Sequence, residues 1–370
     1  MRAIFWVLVT FLLVSLYTLG FATEVESEKQ SFKAEVLTNK LDTPWGMTFL
    51  PDETMLITER DGTLRKFNDG KLSSPLKGVP KVWANGQGGL LDVEIDPNFA
   101  SNQFVYLSYS EAGNGGVGLA VSRSKLDGNR LKDTKVIFRQ NKKSRRGLHF
   151  GSRLTFSDDG TLFITGGDRG NGPRSQDPFD HAGKIVRINS DGTIPQDNPF
   201  ADGKNALPEI WSLGHRNAQG ASQHPQTGAL WTVEHGARGG DEINQPQAGK
   251  NYGWPTISYG RKYSGGKIGI GTAKAGLEQP VYFWDPSIAP SGMTIYDGDL
   301  FKNWQSNIFV GALKFQMLVR LEFEGGKIVH EERLLEDKFG RVRDVTTGPD
   351  GAIYLLTNDG EGLLVRLSPT

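Results

Sequence analysis

Along most of the chain, short apolar runs are broken by compact polar turns, and the pattern recurs. Phe49-Leu50-Pro51-Asp52-Glu53-Thr54-Met55-Leu56-Ile57 is one copy, and Phe156-Ser157-Asp158-Asp159-Gly160-Thr161-Leu162-Phe163-Ile164 is a clearer one. Gln223 to Trp231 and Thr347 to Tyr354 repeat it, and looser copies begin at Ile95 and Ile295. Asp, Pro and Gly supply the turn angles, while the β-branched and aromatic residues that follow favour extended backbone. Each copy therefore predicts a hairpin. Six copies predict six radial units and an all-β fold, a six-bladed β-propeller of four-stranded antiparallel blades. After residue 22, 348 residues remain, or 58 for each unit. A blade needs about 40–50, so each unit has room for a modest loop. A β-sandwich or a pair of small β domains is the competing architecture.

Three stretches, Thr63–Phe67, Lys184–Ile188 and Leu364–Leu367, alternate apolar and basic residues. They predict outer or closing strands with one wet face. Helical periodicity is scarce. The N-terminus has its own pattern: Arg2, an apolar run from Ala3 to Tyr17, small residues around Ala22, then a polar stretch. This predicts a secretory signal peptide over 1–22, with an uncleaved anchor as the alternative. A flexible segment over 23–34 and a propeller over 35–370 would follow. The expected location is the periplasm or the medium, with no membrane span in the mature chain.

Composition narrows the chemistry. Lys+Arg and Asp+Glu are both 42, which leaves no global field for nucleic acid or anionic membrane. No cysteine is present, which excludes disulfides, thiolate metal sites and cysteine nucleophiles. Phosphate-binding glycine loops, H-E-x-x-H and G-x-S-x-G are also missing. Readings based on NAD, ATP or a serine hydrolase therefore lack their signatures.

Several glycine-rich segments carry polar residues that could face a ligand. Gln87 lies among glycines and is free to face a pocket, although on its own the segment reads more simply as an ordinary polar turn. His149 precedes the clearest hairpin, and Asp168 follows it. Paired antiparallel strands would bring the two together, as a general base and its carboxylate or as a structural histidine. Arg216 and Asn217 sit in a dense polar run, where Arg216 could grip a carboxylate or a surface acid. Gly236 to Gly240 could turn carbonyls inward, with Asp241 and Glu242 as carboxylates, which is the oxygen chemistry calcium prefers. Arg341 and Arg343 share one strand face, where an acidic ligand, Asp344 or other nearby acids would satisfy them.

Together these segments resemble the pyrroloquinoline-quinone (PQQ)-dependent glucose/sorbosone dehydrogenase family, in particular its soluble aldose sugar dehydrogenases. The resemblance runs from about Leu41 to Leu367 and rests on Leu41-Asp42-Thr43-Pro44-Trp45-Gly46, Gly214-His215-Arg216-Asn217 and Gly239-Gly240-Asp241-Glu242-Ile243-Asn244 in combination. It implies a six-bladed propeller with the quinone over one face. His149 would be the base, Asp168 its partner, and Arg216 the group that stabilises charge on the quinone oxygen. Gln87, Arg216, Asn217, Tyr263, Ala312, Lys314, Arg341 and Arg343 would contact the quinone. The carbonyls of Gly236 and Ala237 would hold an activating Ca2+. Glu242, Asp241 and the Tyr252 carbonyl would hold a second, structural one. The implied reaction turns aldose sugars into lactones and passes the electrons to an external acceptor. The stretch from Ser258 to Pro280 is Gly/Lys-rich, and no long insertion walls in a sugar or builds a dimer interface. A broad sugar range and a monomer are therefore expected. A calcium-dependent propeller lactonase and a non-catalytic binding module are the rival readings.

Overall fold

In the computed structural model, residues 22–358 and 361–370 are described. The signal peptide expected over 1–22 lies outside them except for Ala22. Six antiparallel sheets surround one axis. Their first strands are Pro44–Phe49, Leu90–Ile95, Gly151–Phe156, Ala218–Gln223, Pro290–Ile295 and Val342–Thr347. Each packs on the next, and the sixth returns to the first, so the ring is closed. Five sheets have four strands and the last has five. This is the six-bladed propeller that the turns predict. All six recurrent turns join the first strand of a blade to its second, as between Phe156 and Thr161, where the Ser157 N–H donates to the Thr161 carbonyl at 2.9 Å.

The apolar core is divided among the gaps between blades. One cluster joins Leu56 and Leu64 of the first blade to Leu90 and Leu107 of the second. Another joins Trp231 and Val233 of the fourth to Met293 and Val310 of the fifth. The strands expected to have a wet face are instead third strands. Lys184–Asn189 is buried along nearly its whole length, because neighbouring blades cover both of its faces. Its cations survive burial by being bonded. Lys184 donates to the carbonyls of Arg174 and Ala182 at 3.0 and 2.8 Å, and burial pushes its pKa down to about 7. Arg187 pairs with Asp159 at 2.7 Å.

Residues 23–34 are not a loose lead. Ala22–Val25 pairs with Phe32–Glu35, and Phe32–Asp42 pairs with the C-terminal strand Glu361–Pro369, which closes the ring between the two ends of the chain. The physical reason is Phe32, fully buried with its ring edge-on to Trp304 at 5.5 Å. Phe32→Ala is expected to lower unfolding free energy by about 3–5 kcal/mol, measured by chemical denaturation.

On the axis, one arginine ties the blades together. Arg153 pairs with Asp92 and Asp344, both at 2.8 Å, donates to the Gln219 carbonyl at 3.1 Å, and lies over the Trp45 ring at 4.7 Å. Asp344 also accepts the Met47 N–H at 3.0 Å. The first, second, third, fourth and sixth blades thus meet at one guanidinium. Above it lies a cavity whose lining includes Trp45 and Gln219, and below it one lined by Asp92, Arg153 and Asp344.

Candidate active site

The upper cavity is about 410 Å³ and opens where the first strands begin. Its lining includes Gln87, His149, Arg216, Asn217, Tyr263, Arg341 and Arg343. The loops before the second, third, fourth and sixth inner strands deliver Gln87, His149, Arg216 with Asn217, and Arg341, while Arg343 lies on the sixth strand itself. Arg60, Gln219, His235 and Asn358 line it as well. Among the described residues, no carboxylate lines it.

His149 and Asp168 meet as the hairpin argument expects, with Nδ1 and Oδ1 2.7 Å apart. The close approach depends on Gly167, where a Cβ would stand 2.1 Å from the His149 carbonyl oxygen. His149 itself has φ 51, and its N–H donates to Oε1 of Gln87 at 2.7 Å. Asp168 also accepts the Gly170 N–H at 2.7 Å and the Trp254 indole N–H at 2.9 Å. The carboxylate is therefore fixed on both oxygens, and it fixes the imidazole in turn. With Nδ1 engaged, the histidine's other ring nitrogen is left for chemistry. Burial lowers the His149 pKa below its ordinary value, the Asp168 hydrogen bond opposes this, and Arg216 adds to the lowering. For Asp168, burial pushes upward, but the His149 bond and charge outweigh it and its pKa falls.

Arg216 is held by its backbone. Glu234 accepts its N–H at 2.6 Å and that of Asn217 at 3.3 Å, and Arg216 Nη1 donates to the His235 carbonyl at 3.0 Å. Its Nε is buried without a partner, as is Nε2 of His235. The Arg343 pKa is pushed down to about 9, first by burial and then by Arg341, Arg153 and Arg60. Four arginines around a cavity without a lining carboxylate, two buried nitrogens lacking partners, and a depressed guanidinium all call for a multiply charged anion.

Other expected residues stand apart. Ala312 is buried within a strand, and exposed Lys314 points over the Phe315 ring at 4.7 Å; neither lines the cavity, although Leu313 between them does. Asp241 accepts the Gly236 N–H on one oxygen, and on the other Ser287 Oγ and the N–H groups of Ile288 and Ala289, at 2.7–3.0 Å. Those four bonds make it a clamp between the fourth and fifth blades, and the oxygen that accepts from Gly236 keeps one lone pair. The Ala237 carbonyl accepts the Arg261 N–H at 2.9 Å, which leaves one lone pair. The carbonyls of Gly239 and Gly240 crowd Gly236, each 2.2 Å from where its Cβ would be. Glu242 is raised to about 8, by burial and by the neighbouring Glu234 charge, and the Asn244 side-chain oxygen beside them is buried without a donor. The Tyr252 ring stacks on His215 at 4.8 Å. Among the described residues, no cluster of three or more His, Asp or Glu is arranged around a metal position.

Sequence reasoning passed over Arg60, His235 and Trp254. Arg60 and His235 lie in loops between second and third strands, and Trp254 lies in the long connection 245–281. A signal for Trp254 was available, since tryptophan among Asn, Gly and Pro in a loop is costly unless its ring is used. That connection is 37 residues long but does not wall in the cavity. It climbs alongside Leu213 and brings exposed Tyr263 to the cavity mouth, which stays open. Trp254→Phe keeps the ring but removes the donor to Asp168. The less satisfied carboxylate then favours imidazolium, so the His149 pKa is expected to rise, read by NMR titration of its ring.

Residues 41–366 match the glucose/sorbosone dehydrogenase family. The chain is 48% identical over 367 residues to the aldose sugar dehydrogenase YliI of Escherichia coli, covering 97% of this chain and 98% of that one. It superposes on the crystal structure of the soluble aldose sugar dehydrogenase of Escherichia coli in its apo form with a TM-score of 0.89 and 48% identity, covering 92% of this chain and 100% of the other. The PQQ-bound aldose sugar dehydrogenase of Streptomyces coelicolor superposes with a TM-score of 0.75 and 27% identity, over 91% and 98% of the two chains.

Proposed function

Because the chain belongs to the glucose/sorbosone dehydrogenase family, we propose that it is a quinoprotein that oxidises the anomeric hydroxyl of aldose sugars to lactones with PQQ and Ca2+. The observation that carries this is the cavity wall, where Arg60, Arg216, Arg341 and Arg343 gather beside the His149–Asp168 pair. PQQ is a tricarboxylate, and its charge suits these cations. A lactonase or a binding module would not need them.

Arg343, Arg341 and Arg60 would hold the carboxylates, with Gln219 and Asn358 fixing the Arg343 fork; Gln219 accepts from it at 3.0 Å. Arg216, lying 5.3 Å over the Trp254 ring, would face charge that develops on the ring system. His149, neutral because burial disfavours its charged form, takes the proton of the anomeric hydroxyl. Asp168 then stabilises the resulting imidazolium. When bound, the quinone supplies the hydride acceptor and calcium the Lewis acid. For the ions, the Gly236 and Ala237 carbonyls offer one set of oxygens. Glu242 and the unpartnered Asn244 oxygen offer a second. The exposed mouth supports a broad sugar range, and the N-terminal pattern supports export. Among the described residues, no helix is long and apolar enough to cross a membrane.

The test is dye reduction by the purified protein with PQQ, calcium and a panel of aldoses. No quinone binding and no turnover with any aldose would end this reading. Chelating calcium is expected to lower Tm as well as activity. At calcium a hundredfold above its dissociation constant, the stabilisation lost is about 2.7 kcal/mol.

A further inference from the structure

We infer that the basic tip beside the cavity mouth is the docking surface for an acidic electron-accepting protein. This rests on the dehydrogenase reading above, because such an enzyme must unload electrons. Oxidising one aldose C–H and its O–H to a lactone releases two electrons and two protons. A one-electron haem protein must therefore call twice for each sugar, while the protons leave to solvent.

The charge is local. The whole chain balances 42 basic against 42 acidic residues, yet residues 245–281 hold five Lys/Arg and one Glu. Residues 261–267 form an entirely exposed turn, with Arg261 bridged to Lys267 and the Lys262 N–H donated to Gly266. Two bonds anchor it to the cavity loops: the Arg261 N–H to the Ala237 carbonyl at 2.9 Å, and exposed Arg238 to the Tyr263 carbonyl at 3.4 Å. Among the described residues, none of Arg238, Arg261, Lys262 and Lys267 is held in an ion pair, whereas Lys250 on the same connection pairs with Glu278. The acid on the adjoining loop, Asp285, packs against Gly239.

Between these cations stands Tyr263, 75% exposed and lining the cavity, with Ile270 at 63% close by in sequence. Unpaired exposed cations around an exposed aromatic, at the mouth of a redox cavity, suit a weak and steered encounter with an acidic surface. Basic and aromatic residues also suit anionic lipid. The position favours a protein, since the patch lies beside the opening through which electrons must leave.

The experiment uses an acidic c-type cytochrome, with a basic one for comparison. Binding of the chain to the immobilised acidic cytochrome is measured by surface plasmon resonance, and its reduction rate by stopped flow with quinone, calcium and glucose. Binding and rate are each expected to fall about tenfold between roughly 20 and 200 mM salt, and again at low salt in K262E/K267E. The basic cytochrome should gain from the reversal. Lys327→Glu, on the outer hairpin of the fifth blade, should change nothing, and neutral-dye turnover should stay intact in every variant. Binding and rate that ignore both salt and K262E/K267E would overturn the proposal. So would charge-dependent sedimentation with phosphatidylglycerol vesicles while cytochrome binding stays unaltered. Loss of dye turnover in the unaltered protein would instead end the dehydrogenase reading, and the binding measurement still judges the surface.

Discussion

His149→Ala is expected to lower kcat for sugar-dependent dye reduction by about 10²- to 10⁴-fold, the range spanned by general-base catalysis. Quinone affinity, measured by titration, should change little, because in the proposed arrangement the arginines hold the anion and the imidazole acts on the sugar's proton. A variant that loses quinone binding and kcat together would make His149 a structural support. The pH profile provides a second reading of the same group. A base acts when unprotonated, so activity falls as pH drops through its pKa. Burial and Arg216 lower that pKa against the pull of Asp168. The acidic limb should therefore lie below the value of an ordinary histidine, about 6.5. Asp168→Asn should weaken catalysis strongly without emptying the cavity, since an amide oxygen can accept from Nδ1 but cannot stabilise imidazolium by charge.

Arg153→Met should damage stability about as much as losing the buried Phe32 ring. It leaves Asp92 and Asp344 buried side by side without their shared cation, and breaking such a group costs about 3–5 kcal/mol. The loss should depend on pH in a defined direction. Even with the arginine, Asp92 is raised from 3.8 to about 7, mainly by burial. Between those values the folded chain holds more protons than the unfolded one, so this group's contribution to stability falls as pH rises. Without Arg153 the pKa rises further and the window extends upward. Denaturation midpoints of the variant should be lowest at alkaline pH and recover on acidification towards pH 5. A deficit that is flat across pH would show that the arginine acts through packing on Trp45 alone.

Which features were legible in the sequence follows from how far apart their causes lie. The six turns were readable because Asp, Pro and Gly act within a few residues. The His149–Asp168 contact was readable because one hairpin separates them. The ring closure was not, since Phe32 and Pro369 pair across the whole chain. The wet face assigned to Lys184–Ile188 failed for a related reason. Alternation says that two faces differ, but not that a neighbouring blade will cover the polar one. Asp241 reads as a candidate calcium ligand because carboxylates near glycines suit calcium, and only the fold shows that it also serves four donors between two blades. Arg153, between a serine and a leucine, gave no hint that it sits on an axis.

The arginine at the axis also has a kinetic consequence. It stands between the upper cavity and the lower, so among the described residues the proposed site opens to solvent on one side of the ring. Under the proposed reaction, sugar would enter, lactone leave and the acceptor approach by that route, in turn. Such traffic gives parallel double-reciprocal plots, with sugar and acceptor each inhibiting at excess by blocking the other's turn.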